Sequence, residues 1–317
     1  MEIEEILPQA LQSVKDFHKK NPNGIVIIRW ATATWKSKLS VLLANEIPSE
    51  IISADSRQIF KYMDIGTDKV PLEIREKIPH HQIDIITPDQ NYTAGQRKAD
   101  TEKNIQEIQK RNKLPIIVWW TGLYIDTIYK NFSMPKGEPN PTLRDELYEK
   151  EKENPWYLYQ ELQKIDPEEA NKLHPNSTRY LVRALEIFHT TGKTKTEWFF
   201  QQPVKWPILM LGLRREKEET NKRINARIKQ MMKDWLIEEV QRLLEQWYWP
   251  DLQSMQWIWY KETVWYIQKR LSKDDREEEL KRNTHHLAKK QRTRFRRYIA
   301  EGKAQPKENV TYQNFFL

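Results

Sequence analysis

A short β-branched run, Gly24 to Arg29 (GIVIIR), passes into Trp30-Ala-Thr-Ala-Thr-Trp35-Lys36-Ser37, and Lys36 to Glu46 (KSKLSVLLANE) then has helical spacing. This stretch constrains the fold more than any other. A short apolar run bounded by polar residues predicts a buried strand. A strand that reaches a helix through a loop ending in Lys-Ser has the order of a phosphate-binding loop. The alternation continues along the chain. Glu50 to Ala54 (EIISA) predicts a strand ending at Asp55, Gln82 to Ile86 (QIDII) another, Thr93 to Arg111 a helix, and Leu114 to Val118 (LPIIV) a further buried strand. Strands alternating with helices at this pitch predict an α/β fold, a P-loop-type parallel sheet flanked by helices. Such sheets place ligands at the carboxyl ends of their strands.

The texture changes after Asn131, where Pro135, Pro139, Pro141 and Pro155 break any long apolar run. Helical patterns follow at Trp156–Ile165 and Arg179–Thr190, and sheet texture resumes at Pro207 to Leu213 (PILMLGL). These changes predict a small helical domain over residues 133–203 inserted into a core built from 1–132 and 204–317. From Arg215 to Gln246 a charged amphipathic helical pattern runs with few breaks, and the remainder reads as mostly helical.

Composition narrows the chemistry. With no cysteine among 317 residues, a disulfide framework, a thiolate nucleophile and a cysteine-ligated zinc are excluded. No apolar run approaches the roughly 20 residues of a membrane span, and the N-terminus (MEIEEILPQA) is too acidic for a signal peptide. A cytoplasmic protein without membrane contact is expected. The 53 Lys and Arg residues outnumber the 45 Asp and Glu, and their distribution says more than the sum. Lys281 to Arg297 (KRNTHHLAKKQRTRFRR) holds eight Lys or Arg, two His and no acid, the kind of segment a phosphate backbone attracts.

In the first loop, read alone, Ser37 is equally a helix cap and Lys36 a solvent lysine; as a phosphate loop, Lys36 would neutralise a diphosphate and Ser37 would ligate Mg²⁺. The helix-start amides and residues Thr32, Ala33 and Thr34 would face the anion. Asp55 sits just past a strand end, where this architecture places catalytic groups, although an Asp there is equally a turn or cap residue. Trp119-Trp120-Thr121-Gly122-Leu-Tyr124 closes another strand without an Asp, so the metal carboxylate of nucleotide hydrolases is missing there. His80 and His81 read as structural.

The motifs WATATWKS (30–37), SADSRQ (53–58), MDIGT (63–67), PHHQID (79–84), WWTGLY (119–124), HPNS (174–177), RYLVRALE (179–186), SMQWIWYKE (254–262) and AKKQRTRFRR (288–297) occur in order. Together they resemble the tRNA dimethylallyltransferase (tRNA isopentenyltransferase) family, whose loop is close to GPTATGKT and whose later motifs include SADSRQ, GGTGLY and SMQAIGYKE. The resemblance covers about residues 24–300. It implies transfer of a dimethylallyl group from its diphosphate to N6 of the adenosine beside the tRNA anticodon. By the same resemblance Asp55 accepts the N6 proton, Lys36, Arg215 and Mg²⁺ on Ser37 serve the diphosphate, and Thr121 bonds near the reacting diphosphate or the amine. Asp55, Ser56, Arg57, Gln58, Arg179, Arg183, Met255, Gln256 and Lys261 match segments that touch the anticodon stem-loop, and Lys289, Lys290, Arg292 and Arg294 would hold phosphates. The helical insertion also meets tRNA on this reading, and a monomer suffices. A tRNA-binding protein without transferase activity and a P-loop phosphotransferase acting on a small molecule are the alternatives.

Where the family has glycine, this chain has Trp at 30, 35, 119, 120, 235, 247 and 259, and Tyr at 62. Loop glycines permit φ > 0 and a close backbone approach to the anion. Indoles at 30, 35, 119 and 120 are therefore expected to weaken binding of dimethylallyl diphosphate, and glycine at those positions to strengthen it.

Overall fold

A computed structural model describes residues 3–119, 122–135, 140–199, 202–233, 235–304 and 309–316. In chain order the first elements are α1 (Ile3–Lys20), β1 (Ile25–Arg29), α2 (Lys36–Glu46), β2 (Ser49–Ala54), α3 (Leu72–Lys77) and β3 (His80–His81). Then come α4 (Ala94–Lys110), β4 (Leu114–Trp119), α5 (Gly122–Tyr129), α6 (Pro141–Glu153), α7 (Tyr157–Ile165), α8 (Pro167–Ala170), α9 (Thr178–Thr191) and α10 (Lys195–Trp198). The chain ends with β5 (Ile208–Arg214), α11 (Lys217–Lys233), α12 (Leu236–Glu245), α13 (Tyr260–Ile267), α14 (Lys273–Ala304) and β6 (Val310–Phe316).

The six strands form one sheet in the order β3-β2-β4-β1-β5-β6, with every pairing parallel. β1 is central, and Ile25 to Ile28 are completely buried, as a strand covered on both faces requires. Because all strands point the same way, the residues following β1, β2, β4 and β5 emerge at one edge. The strand after β4 in sequence pairs on the other side of β1, so the order switches there, which is where sheets of this kind bind ligands.

Three elements differ from the sequence reading. The strand expected over 82–86 is instead the two-residue β3 at 80–81, because Gln82 and Asp84 adopt φ of 62° and 57° and break extended pairing. The helical pattern from 215 to 246 is two helices, α11 and α12, with the left-handed Trp235 (φ 67°) as N-cap of the second. The last described segment is a strand, β6, seated beside β5. Gly212 is needed there, since a Cβ would come within 2.3 Å of Asn314 Oδ1. A helical core joins Ile59, Phe60 and Met63 to Ile224 and Ile228 of α11, Val240 of α12 and Val264 of α13.

Two compact units are present: Met1–Tyr92 with Ala99–Ile125 and Trp206–Leu317, and Thr93–Lys98 with Asp126–Lys205. The second has its own core of Leu147, Leu158, Leu162, Leu181 and Leu185 from α6, α7 and α9. Inside it, buried Glu186 accepts both Arg144 Nε and Nη2 at 2.8 Å, the Asn140 amide at 2.8 Å and Arg183 Nη1 at 2.5 Å.

Candidate active site

The loop after β1 turns tightly because its polar groups bond to one another. Thr34 Oγ1 donates to the Ala31 carbonyl at 2.8 Å, and Lys36 Nζ donates to the same oxygen at 2.6 Å. Lys36 is buried at the head of α2, and burial pushes its ammonium down to about 7. That value already includes the charge of Arg227, which also lowers it, and Asp55 and Asp68, which pull the other way. Thr32 and Thr34 are buried, whereas Ala33 and Ser37 are half-buried.

Ala33 to Lys38, Asp68, Arg223 and Arg227 line a recess of about 230 Å³. The arginines lie one turn apart on α11 and reach over the loop. Arg223 Nε donates to the Ala33 carbonyl at 3.1 Å, and Arg227 pairs with Asp68 at 3.1 Å. Neither these arginines nor Asp68 stands out in the sequence. Arg223 and Arg227 belong to a charged helix nearly 190 residues downstream, and no local spacing ties them to the loop.

Asp55 emerges from β2 into the same edge and is buried. Its Oδ1 accepts the Arg57 amide at 2.7 Å, an Asx turn that fixes the carboxylate without consuming its other oxygen in that bond. Behind it Ser53 Oγ donates to Gln58 Oε1 at 2.8 Å, and Gln58 Nε2 donates to the Thr67 and Asp68 carbonyls at 3.2 and 3.1 Å. The MDIGT turn is anchored by buried Glu239, which accepts the Asp64, Ile65 and Gly66 amides and the Tyr260 hydroxyl. Burial, together with the Glu239 carboxylate, raises Tyr260 well above the ordinary phenol range. Gly66 leaves room for that phenol, since a Cβ would lie 2.5 Å from its ring.

Arg215 follows β5 and is buried. Its Nε and Nη2 have no hydrogen-bond partner among the described residues, and its Nη1 lies 3.7 Å from Glu219. A buried guanidinium so placed suits an anion. Thr121 and Trp120 lie outside the described residues.

Trp35 occupies the recess mouth as N-cap of α2, in the left-handed region at φ 60° and ψ 26°. Arg223 lies 3.7 Å, Arg215 4.6 Å and Lys38 5.3 Å from its ring centroid. The two site arginines thus rest on an indole. Trp30 behaves differently from the expectation of crowding. Its ring is buried against Phe295 of α14 at 5.7 Å, and it does not line the recess. Tyr62, Trp235, Trp247 and Trp259 all have φ between 66° and 83°. The backbone therefore keeps a glycine-type conformation where the side chain is an aromatic. Trp156, at φ 73°, belongs with them and was not singled out by its motif.

The residues matched to tRNA contacts separate into groups. Met255 is completely buried in the helical core and Gln58 is buried with both ends of its amide bonded, so neither side chain is presented to a partner. Packing and these internal hydrogen bonds occupy both side chains. Arg57, over the Trp257 ring at 4.1 Å, and half-buried Ser56 lie beside Asp55. Gln256 is exposed, and Lys261 lies over Trp265 at 4.5 Å. On α14, Lys289 and Lys290 are exposed while Arg292 and Arg294 are half-buried. In the second unit Arg179 is exposed and Arg183 is held by Glu186. Outside the site, the two histidines are structural. His81 joins Arg111 and Lys113 on Glu50, whose carboxyl those partners hold down at about 2 despite burial, and His80 bonds the Ile78 carbonyl.

Fold and site together define a P-loop-type α/β protein that sets a cationic loop beside a buried carboxylate at one sheet edge. Residues 58–298 match the IPP transferase family, and the chain belongs to that family. It is 42% identical over 283 residues to the tRNA dimethylallyltransferase of Pelotomaculum thermopropionicum, covering 89% of this chain and 90% of the relative. Its identity to the enzyme of the same name from Halothermothrix orenii is 42% over 298 residues, covering 92% and 90%. Among solved structures it is similar to the full-length tRNA isopentenylpyrophosphate transferase of Bacillus halodurans, with 34% identity, TM-score 0.65 and coverage of 93% and 90%. It is also similar to a eukaryotic dimethylallyltransferase acting on tRNA, with 28% identity, TM-score 0.76 and coverage of 92% and 73%. Among the described residues no helix is long and apolar enough to cross a membrane.

Proposed function

We propose that this chain transfers the dimethylallyl group from dimethylallyl diphosphate to N6 of the adenosine next to the anticodon of tRNA. The observation that carries the reading is the convergence of Lys36, Asp55 and Arg215 from the ends of β1, β2 and β5 at one edge of the sheet. In the reaction a C–N bond forms at N6 as the allylic C–O bond breaks. Asp55 accepts the N6 proton, which an exocyclic amine must lose as it becomes bonded to carbon. Lys36, Arg215 and the loop amides at Ala33 and Thr34 stabilise the charge that builds on the departing diphosphate. By the family resemblance Thr121 bonds near the reacting diphosphate or the amine.

Among the described residues no cluster of three carboxylate or imidazole side chains forms a cage for a metal. Mg²⁺ commonly completes its shell from substrate phosphates and water. The Ser37 hydroxyl on the recess wall fits that use as a single protein ligand, and Mg²⁺ held there would supply further charge neutralisation to the diphosphate.

The adenosine must leave its stack to reach a buried carboxylate, a step that costs a few kcal/mol and least in single-stranded loops. Ser56, Arg57, Gln256 and Lys261 contact the loop that carries it, and Lys289, Lys290, Arg292 and Arg294 hold phosphates independently of sequence. Residues 133–203 serve as an inserted helical domain that meets the anticodon stem-loop through Arg179 and Arg183. The enzyme works as a cytoplasmic monomer. Incubating the purified chain with labelled dimethylallyl diphosphate and an anticodon stem-loop RNA tests the reading. Label in the RNA supports it, and label confined to free diphosphate ester after exhaustive incubation refutes it.

A further inference from the structure

The basic segment of α14 has two faces with different work to do. Outward, His286, Lys289, Lys290 and Arg296 are exposed. Inward, Thr284, Ala288, Gln291 and Phe295 are buried. The inward face ends on the phosphate loop. Gln291 Oε1 accepts the Thr32 amide at 2.9 Å, although the two residues are 259 positions apart. One turn further on, the Phe295 carbonyl accepts Arg29 Nη1 at 3.2 Å and its ring stacks on Trp30. The last residue of β1, Arg29, and the loop residues Trp30 and Thr32 are therefore tied to one helix.

We infer that Gln291 is a positioning residue for the diphosphate loop, and that it sits inside the basic motif for that reason rather than to read RNA. The physical argument starts from the loop amides. An anion-binding loop works by pointing several N–H groups inward, and an N–H left buried without an acceptor is destabilising. Thr32 is buried, and its amide is already committed to Gln291. That bond holds the 31–32 peptide N–H toward α14 rather than toward the anion and sets the angle at which the following residues approach it. From the other side Arg223 Nε holds the Ala33 carbonyl at 3.1 Å. The peptides 31–32 and 33–34 are thereby held, one through its N–H by α14 and the other through its carbonyl by α11. With the loop so held, little ordering remains to be done when the diphosphate arrives, which is how preorganisation raises affinity.

This inference rests on the diphosphate reading above, but one arm of its test does not. Hydrogen exchange at the Thr32 amide, measured on the unliganded full chain, reports the bond directly. In Gln291→Leu, which keeps the volume and loses the acceptor, exchange at Thr32 is expected to rise at least about tenfold. The Kd for inorganic diphosphate should rise about tenfold as well, and the Kd for an anticodon stem-loop RNA should stay within about twofold. Gln291→Glu retains an acceptor oxygen and should keep Thr32 protected, which provides the check if the leucine variant fails to fold. Unchanged exchange at Thr32 in Gln291→Leu, or lost protection in Gln291→Glu, overturns the inference. So does a variant that loses RNA affinity while its diphosphate affinity is intact. If the wild-type chain binds neither diphosphate nor RNA, the functional reading fails while the exchange arm still decides the role of Gln291.

Discussion

Replacing Trp35 by glycine should tighten diphosphate binding, and the structure sets the size of the effect. The indole lines the recess and holds Arg223 at 3.7 Å and Arg215 at 4.6 Å from its ring centre. A guanidinium over an aromatic face is worth roughly 0.5–2 kcal/mol, toward the upper end where water is excluded. Arg215 is buried, so its contact belongs near that end. A diphosphate must draw these arginines from the ring, and the combined cost is about 1–3 kcal/mol. At about 1.4 kcal/mol per decade the Trp35→Gly variant should bind dimethylallyl diphosphate roughly tenfold to a hundredfold more tightly. Titration calorimetry with dimethylallyl diphosphate and with inorganic diphosphate measures it. Trp35→Ala separates ring from backbone: it removes the indole but leaves a Cβ at φ 60°. If competition for the arginines dominates, alanine recovers most of the gain. A Kd for Trp35→Gly within about twofold of wild type, or weaker, refutes the reasoning.

The remaining predictions use other parts of the site. Lys36 is pushed down to about 7 in the unliganded protein, and the protonated form binds the anion. Diphosphate affinity should therefore lose up to about tenfold per pH unit above that value relative to a Lys36→Met control, seen by calorimetry at matched ionic strength. By the same linkage the unliganded fold gains stability as pH rises from about 7 toward the ordinary lysine range, because there the unfolded chain still carries a proton that the folded chain has lost. Trp235→Gly should raise stability by about 0.5–1 kcal/mol in urea unfolding. It removes a left-handed non-glycine cost of roughly 1–2 kcal/mol at a 68% exposed side chain, offset by about 0.4–1 kcal/mol of unfolded-chain freedom. Lys289→Ala with Lys290→Ala should weaken stem-loop binding and lower the slope of log affinity against log salt by about 1.4–1.8, leaving diphosphate affinity unchanged.

The strands that build the site were legible because each is a short continuous apolar run, as burial on both faces demands: β1, β2, β4 and β5 all read this way. Asp55 is legible because it follows such a run directly, Lys36 because a short loop ending in Lys-Ser joins such a run to a helix, and Arg215 through the resemblance. β6 was not, since Val310 to Phe316 (VTYQNFF) mixes polar and aromatic residues and is half-exposed along an edge. Nor was the displaced β3, where two left-handed residues, neither of them glycine, cut the pairing short. The helices that close the loop were hidden for a different reason. Arg223, Arg227 and Gln291 reach it only through tertiary packing, and nothing in a charged helical pattern marks which residue of a turn faces inward. Met255 and Gln58 show that a motif matched to a binding surface also carries residues whose side chains pack in the core. The left-handed tryptophans show that local preference was overridden: the fold sets φ at Trp35, Trp235, Trp247 and Trp259 regardless of the side chain there.

The central claim is that Asp55 takes the proton from the adenosine amine while the loop holds the departing diphosphate. Single-turnover transfer from dimethylallyl diphosphate to an anticodon stem-loop, with wild type and Asp55→Asn compared at saturating substrates, tests it most directly. The account predicts a modified adenosine beside the anticodon and a rate about 10²–10⁴ lower in the asparagine variant, with diphosphate and RNA affinities within a few-fold of wild type. An Asp55→Asn enzyme that transfers the group at the wild-type rate would contradict it.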